Sequence, residues 1–248
     1  MKTLTKNQIK NAKKSGLITG TVLKKVGELI KPGLTTFEIE KLAVKIIKSE
    51  GGIPAFIGCG GYKYATCVSI NDEIVHTEPS KRIIKEGDIV SCDVGTNFNG
   101  MNSDAARTYI VGDQVDNDIN RLVEGTRQAL IEAIKMVKPG NKIGDIEQKT
   151  GEILKEYNLF PVMTLSGHGI GEQVHQEPSI MCDGQSGIGP DIIECTMLAI
   201  EPMATLNNTD LATVNGAWSI KTVDGSWGAH FEHTVLVTKN GCEILTVN

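Results

Sequence analysis

The chain reads as an α+β protein built from two related halves, with antiparallel strands lying under paired helices. Three observations predict this. The octapeptide Glu73-Ile-Val-His76-Thr-Glu-Pro-Ser80 recurs as Glu172-Gln-Val-His175-Gln-Glu-Pro-Ser179, six of eight positions identical at an offset of 99. Lys31-Pro32-Gly33 with Glu38-Ile39-Glu40 returns as Lys138-Pro139-Gly140 with Asp145-Ile146-Glu147, at an offset of 107. Repetition in the same order marks a duplicated unit. Third, helix-period segments precede the strand runs of each half instead of alternating with them, which favours an antiparallel sheet over a parallel one. Each half brings one histidine, His76 or His175, to a shared seam, and seams are common places for sites.

The elements follow in order. Ile9, Ala12, Leu17, Leu23, Val26 and Ile30 fall at helical spacing, so residues 6–30 form an amphipathic helix stopped at Pro32-Gly33. Thr35 and Glu38 have the spacing of a capping box and open a second helix that ends at Gly51-Gly52. The second half repeats the plan, with helices over 117–137 and 143–157. The acidic run Asp113-Gln-Val-Asp-Asn-Asp118 is the junction between halves 1–115 and 116–248 of one domain. Runs at 67–70, 88–94, 106–111, 197–200 and 231–238 are short, β-rich and bounded by Gly, Asn or Pro, so they read as strands.

Composition narrows the function. With 248 residues, 40% hydrophobic and 22% charged, the chain suits one large core. A formal charge of −5 and a pI near 5.6 argue against a nucleic-acid surface, which needs a basic stripe. No stretch approaches the roughly 18 apolar residues of a membrane span. The N-terminus lacks the apolar stretch of a signal peptide. Six cysteines without C-x-x-C spacing then read as free thiols in a reducing cytoplasm.

The chemistry rests on acids in apolar surroundings. Asp93 and Asp104 fall in strand segments, Glu201 directly follows Met-Leu-Ala-Ile, and Glu232 lies inside the apolar run ending at Thr238. A carboxylate in such a place is costly unless its charge is compensated. No Lys or Arg is an evident partner, so a different cation is needed. Two divalent metals would balance the four carboxylates, leaving a neutral imidazole to complete the set. His168, in Gly167-His168-Gly169-Ile170-Gly171, is the candidate, because flanking glycines allow close backbone approach. Such an oxygen-rich site with one nitrogen suits Mn, Fe(II), Co or Zn over a structural thiolate centre. The Gly-x-Gly-x-Gly run lacks the strand-before, helix-after context of a dinucleotide site.

Asp93, Asp104 eleven residues on, the His168 glycine frame, His175, Ile200-Glu201-Pro202-Met203 and Phe231-Glu232-His233-Thr234 together resemble the type I methionine aminopeptidases, from about residue 6 to the C-terminus. The resemblance implies the duplicated pita-bread (creatinase/aminopeptidase) fold, in which a curved antiparallel sheet is covered by two pairs of helices about a pseudo-two-fold axis. It also implies a single catalytic domain, hydrolysing the N-terminal methionine of nascent proteins when the second residue is small and uncharged. A hydroxide bridging two divalent ions would be the nucleophile.

Position by position, the resemblance makes Asp93 the bidentate ligand of one metal, Asp104 and Glu232 the bridging carboxylates, and His168 and Glu201 the ligands completing the second. Glu201 would also carry the proton, His175 would hold the scissile carbonyl, and His76 would contact the backbone nitrogen beyond it. Cys59, Tyr62, Cys67, Val174 and Trp218 would line the methionine pocket. Cys59, Val174 and Thr77 depart from the family's usual Tyr, Phe and Gly, and His230 stands where Gln is frequent. His230, two residues before Glu232 and on the same strand face, reads as a supporting or solvent-facing residue. Implied partners are polypeptide N-termini emerging at the ribosome, with neither nucleic acid nor membrane bound directly, and the protein is expected to be a monomer. The nearest rival is an Xaa-Pro peptidase, which carries an extra N-terminal domain that the early position of Asp93 leaves no room for. A second rival is a non-catalytic binding relative, a type that loses ligands this chain keeps.

Overall fold

The computed structural model describes residues 2–112, 116–214 and 218–247, so part of the expected junction, residues 113–115, lies outside the described residues. Four helices occur where the spacing puts them: α1 (Lys6–Leu29), α2 (Thr36–Ser49), α3 (Asn117–Lys135) and α4 (Ile143–Glu156). In α1, Ile18, Val22, Leu23 and Val26 are buried against the strands Ile89–Phe98 and Met101–Ile110. Fully burying an aliphatic side chain of this kind stabilises by about 1.5–3 kcal/mol. Both helix pairs turn at a left-handed glycine, Gly33 with φ 91° and Gly140 with φ 95°. Each second helix is then closed by an acid three residues into it. Glu38 accepts from Thr35 N at 2.8 Å, and Asp145 accepts from Lys142 N at 2.7 Å.

All ladders among the described residues are antiparallel. Among the described residues the expected curved sheet is broken into four hydrogen-bonded pieces, two of which carry most of the site. One holds Thr66–Ile70, Ile89–Phe98 and Met101–Ile110. The other runs Gly241–Ile244, His233–Thr238, Met197–Ile200, Ser166–Gly169, Gln176–Met181. The central hairpin is longer than the sequence suggested, pairing Asn97 with Asn102 and Gly95 with Asp104. It turns at Asn99 (φ 49°) and Gly100 (φ 84°), positive dihedrals that favour Asn-Gly in a tight hairpin.

One expected strand needs correction. Residues 231–238 do not form one strand: Gly228–His230 pairs with Met203–Thr205, whereas His233–Thr238 pairs with Met197–Ile200. Glu232 therefore sits at a break where the chain changes sheets, and Glu201 sits at the matching break before Met203. The cause is long-range. Thr234 Oγ1 accepts from Asp104 N (2.8 Å) and donates to Asp104 O (2.7 Å). Glu232 N donates to Ala106 O (2.9 Å), and Thr108 Oγ1 donates to His230 O (2.9 Å). Residues 104, 106 and 108 thus meet 234, 232 and 230 in antiparallel register across the seam between halves.

Candidate metal centre

That register carries Glu232 to Asp104, while strand alternation puts Asp93 on the same side of the hairpin. Gly95, opposite Asp104, leaves room for Phe56, whose ring lies 2.6 Å from where a Cβ would stand. On the facing sheet, the glycines around His168 serve close approach as expected. A Cβ on Gly167 would lie 2.5 Å from Ala199 O and 3.3 Å from Glu201 Cγ, and one on Gly169 would lie 2.3 Å from Glu177 O. His168 Nδ1 lies 3.0 Å from Gly169 O, which turns Nε2 toward Glu201 Oε1 at 3.4 Å.

The structure brings the five predicted ligand residues together. Donor atoms of Asp93, Asp104 and Glu232 lie within 4.8 Å of one another, as do those of His168, Glu201 and Glu232, so Glu232 belongs to both groups. A third group joins Asp104, His168 and His175. Buried oxygens of Asp93 (Oδ1), Asp104 (Oδ1) and Glu232 (Oε1) have no hydrogen-bond partner, and among the described residues no Lys or Arg forms an ion pair with the cluster. Unpaired buried oxygens this close are the signature of missing positive charge. The donor set fits divalent cations.

Electrostatics agree. Burial, reinforced by Asp104 and Glu201, raises the Asp93 carboxyl well above its ordinary range. Burial lifts Asp104 to about 7. Glu201 is raised by burial and Asp104, and Glu232 by burial together with Asp104, Glu201 and Asp93. The imidazoles move the other way. Burial and His175 bring His168 down to about 4, and burial lowers both His76 and His175. Each imidazole is therefore neutral at pH 7, able to bind a cation or to donate one N–H.

A cavity of about 450 Å³ opens onto this cluster. His76, Asp93, Asp104, His168, His175, Glu201 and Glu232 line it, as do Cys59, Tyr62, Cys67 and Trp218 at one end. Val174 packs instead with Phe56, Tyr62 and Cys67 in the small apolar cluster behind that end. Tyr62 and Trp218 meet edge to face, with centroids 5.6 Å apart. His76 holds a left-handed φ of 60°, and the His168 and His175 rings stand 4.6 Å apart. His230 corrects the solvent-facing alternative and the shared strand face of the sequence reading, and leaves its supporting alternative standing. The sheet change at 231–232 removes any shared strand face with Glu232, and the residue is 1% exposed, lining the cavity beside Glu201. Thr164 and Leu165, just before the strand Ser166–Gly169, and Ser166, its first residue, also reach the cavity, from a stretch in which the sequence offers no signal.

Paired acids and neutral imidazoles at the seam of a duplicated antiparallel shell define a metal-dependent hydrolase of the pita-bread class. The chain belongs to metallopeptidase family M24, whose sequence pattern matches residues 10–239. A methionine aminopeptidase of Clostridium acetobutylicum is 36% identical over 97% of this chain and 96% of its own length. Methionine aminopeptidase 1 of Bacillus subtilis is 36% identical over 94% of each. The crystal structure of the methionine aminopeptidase of Thermotoga maritima superimposes with a TM-score of 0.98 at 42% identity, covering both chains fully. Prolidase from Pyrococcus furiosus, at 23% identity and a TM-score of 0.77, shares the fold, and this chain covers 65% of it.

Proposed function

We propose that the protein removes the N-terminal methionine from polypeptides whose second residue is small and uncharged, using two divalent cations held at the seam. The observation that carries this is the set of unpartnered buried oxygens on Asp93, Asp104 and Glu232. Full-length likeness to proteins named methionine aminopeptidase supports the choice of substrate. Asp93 would hold one cation, His168 and Glu201 the other, and Asp104 and Glu232 both. Bound there, a cation pair supplies Lewis acidity to the scissile carbonyl and lowers the pKa of a shared water toward neutrality.

The remaining steps belong to side chains. Glu201, its carboxylate beside His168, takes the proton of the attacking water and delivers it to the departing amine. An N–H of neutral His175 donates to the carbonyl oxygen as it gains negative charge, and such donors are worth about 2.7–4 kcal/mol each. His76 holds the backbone nitrogen beyond the cleaved bond. Cys59, Tyr62, Cys67 and Trp218 take the methionine side chain against softly polarizable walls, with Val174 backing them. We place the enzyme in the cytoplasm, acting as a monomer on nascent chains at the ribosome; in keeping, among the described residues no helix is long and apolar enough to cross a membrane. The chain acts as one catalytic domain, its site drawn from halves 1–115 and 116–248.

Stripping metal with a chelator should abolish release of methionine from Met-Ala-Ser, and adding Mn, Co, Fe(II) or Zn singly should restore it. Faster cleavage of Ala-Pro than of Met-Ala-Ser would replace this reading with that of a proline-directed peptidase. Silence toward both peptides in protein shown to hold metal would leave a binding protein instead.

A further inference from the structure

His230 is the one imidazole in the cavity to which the proposed reaction gives no task. The residue is 1% exposed, and neither Nδ1 nor Nε2 has a hydrogen-bond partner. Both ring nitrogens are thus stripped of water without replacement, a costly state for a side chain that only fills space. Its backbone is clamped from both ends, since His230 N donates to Thr108 Oγ1 (3.0 Å) and Thr108 Oγ1 donates to His230 O (2.9 Å). From this anchored origin, Nε2 lies 3.3 Å from Glu201 Oε2, within reach of it but without forming a hydrogen bond in this arrangement. Glu201 Oε1 faces His168 Nε2 at 3.4 Å on the opposite side. Glu201 is thus bracketed by two imidazoles, one per oxygen.

The two do not play the same part. His168 belongs to two of the donor groups whose atoms gather within 4.8 Å, whereas His230 belongs to none. Its reach ends at Glu201. We propose that His230 is a positioning residue: its Nε2–H holds Glu201 Oε2, so that Oε1 stays turned toward His168, with which it would hold a cation. This rests on the reading of Glu201 as ligand and proton carrier. Outer partners that orient a ligating carboxylate typically change metal affinity by about 10–100-fold when removed. A glutamine could offer an amide N–H at comparable reach, an asparagine would fall short, and a leucine offers no donor.

The test is calorimetric titration of the full-length, metal-free protein with MnCl2, alongside kcat and KM on Met-Ala-Ser. Wild type should bind two equivalents. His230→Leu should weaken one binding event at least tenfold and leave the other within about twofold, with kcat falling about 10–100-fold and KM little changed. His230→Gln should restore both readouts to within about threefold of wild type. If the leucine variant does not fold, the contrast between His230→Asn (impaired) and His230→Gln (restored) carries the same test. Wild-type affinity for both ions in the leucine and asparagine variants would overturn the proposal, and so would equal loss of both ions in every variant. Wild type that bound no manganese would instead overturn the metal reading beneath it.

Discussion

The two halves share a scaffold and divide the chemistry. Each opens with a helix pair joined through Lys-Pro-Gly, turned at a left-handed glycine and closed by an acid on the next helix. Each also spends a glutamate on strand backbone: Glu40 accepts from Ala65 N and Thr66 N, and Glu147 accepts from Met181 N. At the site the resemblance ends. The first half supplies Asp93 and Asp104 from one continuous hairpin, while the second supplies His168 from a short strand and Glu201 and Glu232 from strand breaks. Even the matching octapeptides diverge, since Glu73–Val75 is a strand ending before His76, whereas Gln176–Met181 is a strand beginning after His175. Helix packing and caps tolerate duplication because they are local. The proposed two-cation site would not be symmetric, since one end would admit a side chain and the other a chain, and the loops carry that difference.

Removing a ligand that both cations would share tests this division most severely. Asp104→Asn keeps the shape and deletes the charge. Activity on Met-Ala-Ser should fall by at least about a thousandfold, with calorimetry showing fewer than two manganese equivalents bound, because the electrostatic core of the reaction is removed. The metal-free variant should be at least as heat-stable as metal-free wild type, since one member of a mutually repelling cluster is gone. A metal-free variant that melted well below wild type would mean that Asp104 serves the fold more than the site.

What the sequence made legible follows the same line between local and long-range causes. Helix limits could be read because Pro-Gly stops and acid caps act within four residues. Asp93 could be placed by alternation, because its strand is continuous. Glu201 and Glu232 were found as misplaced acids, but their positions at sheet changes were hidden. Those breaks are set by the 104–234, 106–232 and 108–230 contacts, partners more than a hundred residues apart. The alternation argument failed at His230 for that reason alone. The hairpin extension was missed although Asn99-Gly100 announced it, because Gly95-Thr-Asn-Phe reads as loop until its partner strand is known. The short strands Ile53–Pro54, Phe160–Pro161 and Leu211–Thr213, and the cavity residues 164–166, left no periodic trace.

A second contrast between the site and its scaffold appears in pH. The raised Asp93, Asp104, Glu201 and Glu232 carboxyls keep protons in the metal-free fold that the unfolded chain has released. A group raised on folding stabilises most below its unfolded pKa, near 4 for these acids, and that contribution is lost as pH climbs through the folded value. The lowered imidazoles act oppositely, but only below their unfolded pKa of about 6.5, and free thiols of the unfolded chain ionise only near 8.5. Between about pH 6.5 and 8 the carboxyls alone remain, so metal-free protein should lose about 1.4 kcal/mol per pH unit for each proton still held. Thermal melts across that window should fall for stripped protein and flatten with saturating manganese. Equal slopes with and without metal would mean that no cation replaces those protons.

The smallest effect asks whether the scaffolds are as alike as they look. Gly33 and Gly140 have nearly the same left-handed φ, and a Cβ on either would meet nothing within 4 Å. Gly33→Ala and Gly140→Ala therefore introduce backbone strain without a clash, about 1–2 kcal/mol in each case. Denaturant unfolding should show the two losses equal to within about 0.5 kcal/mol and additive in the double variant, as expected for separated sites without shared partners. Methionine release should stay at wild-type rate in both. Should one alanine cost several times the other, or lower activity alone, the helix pairs would be unequal supports, and the division of labour would begin above the strands.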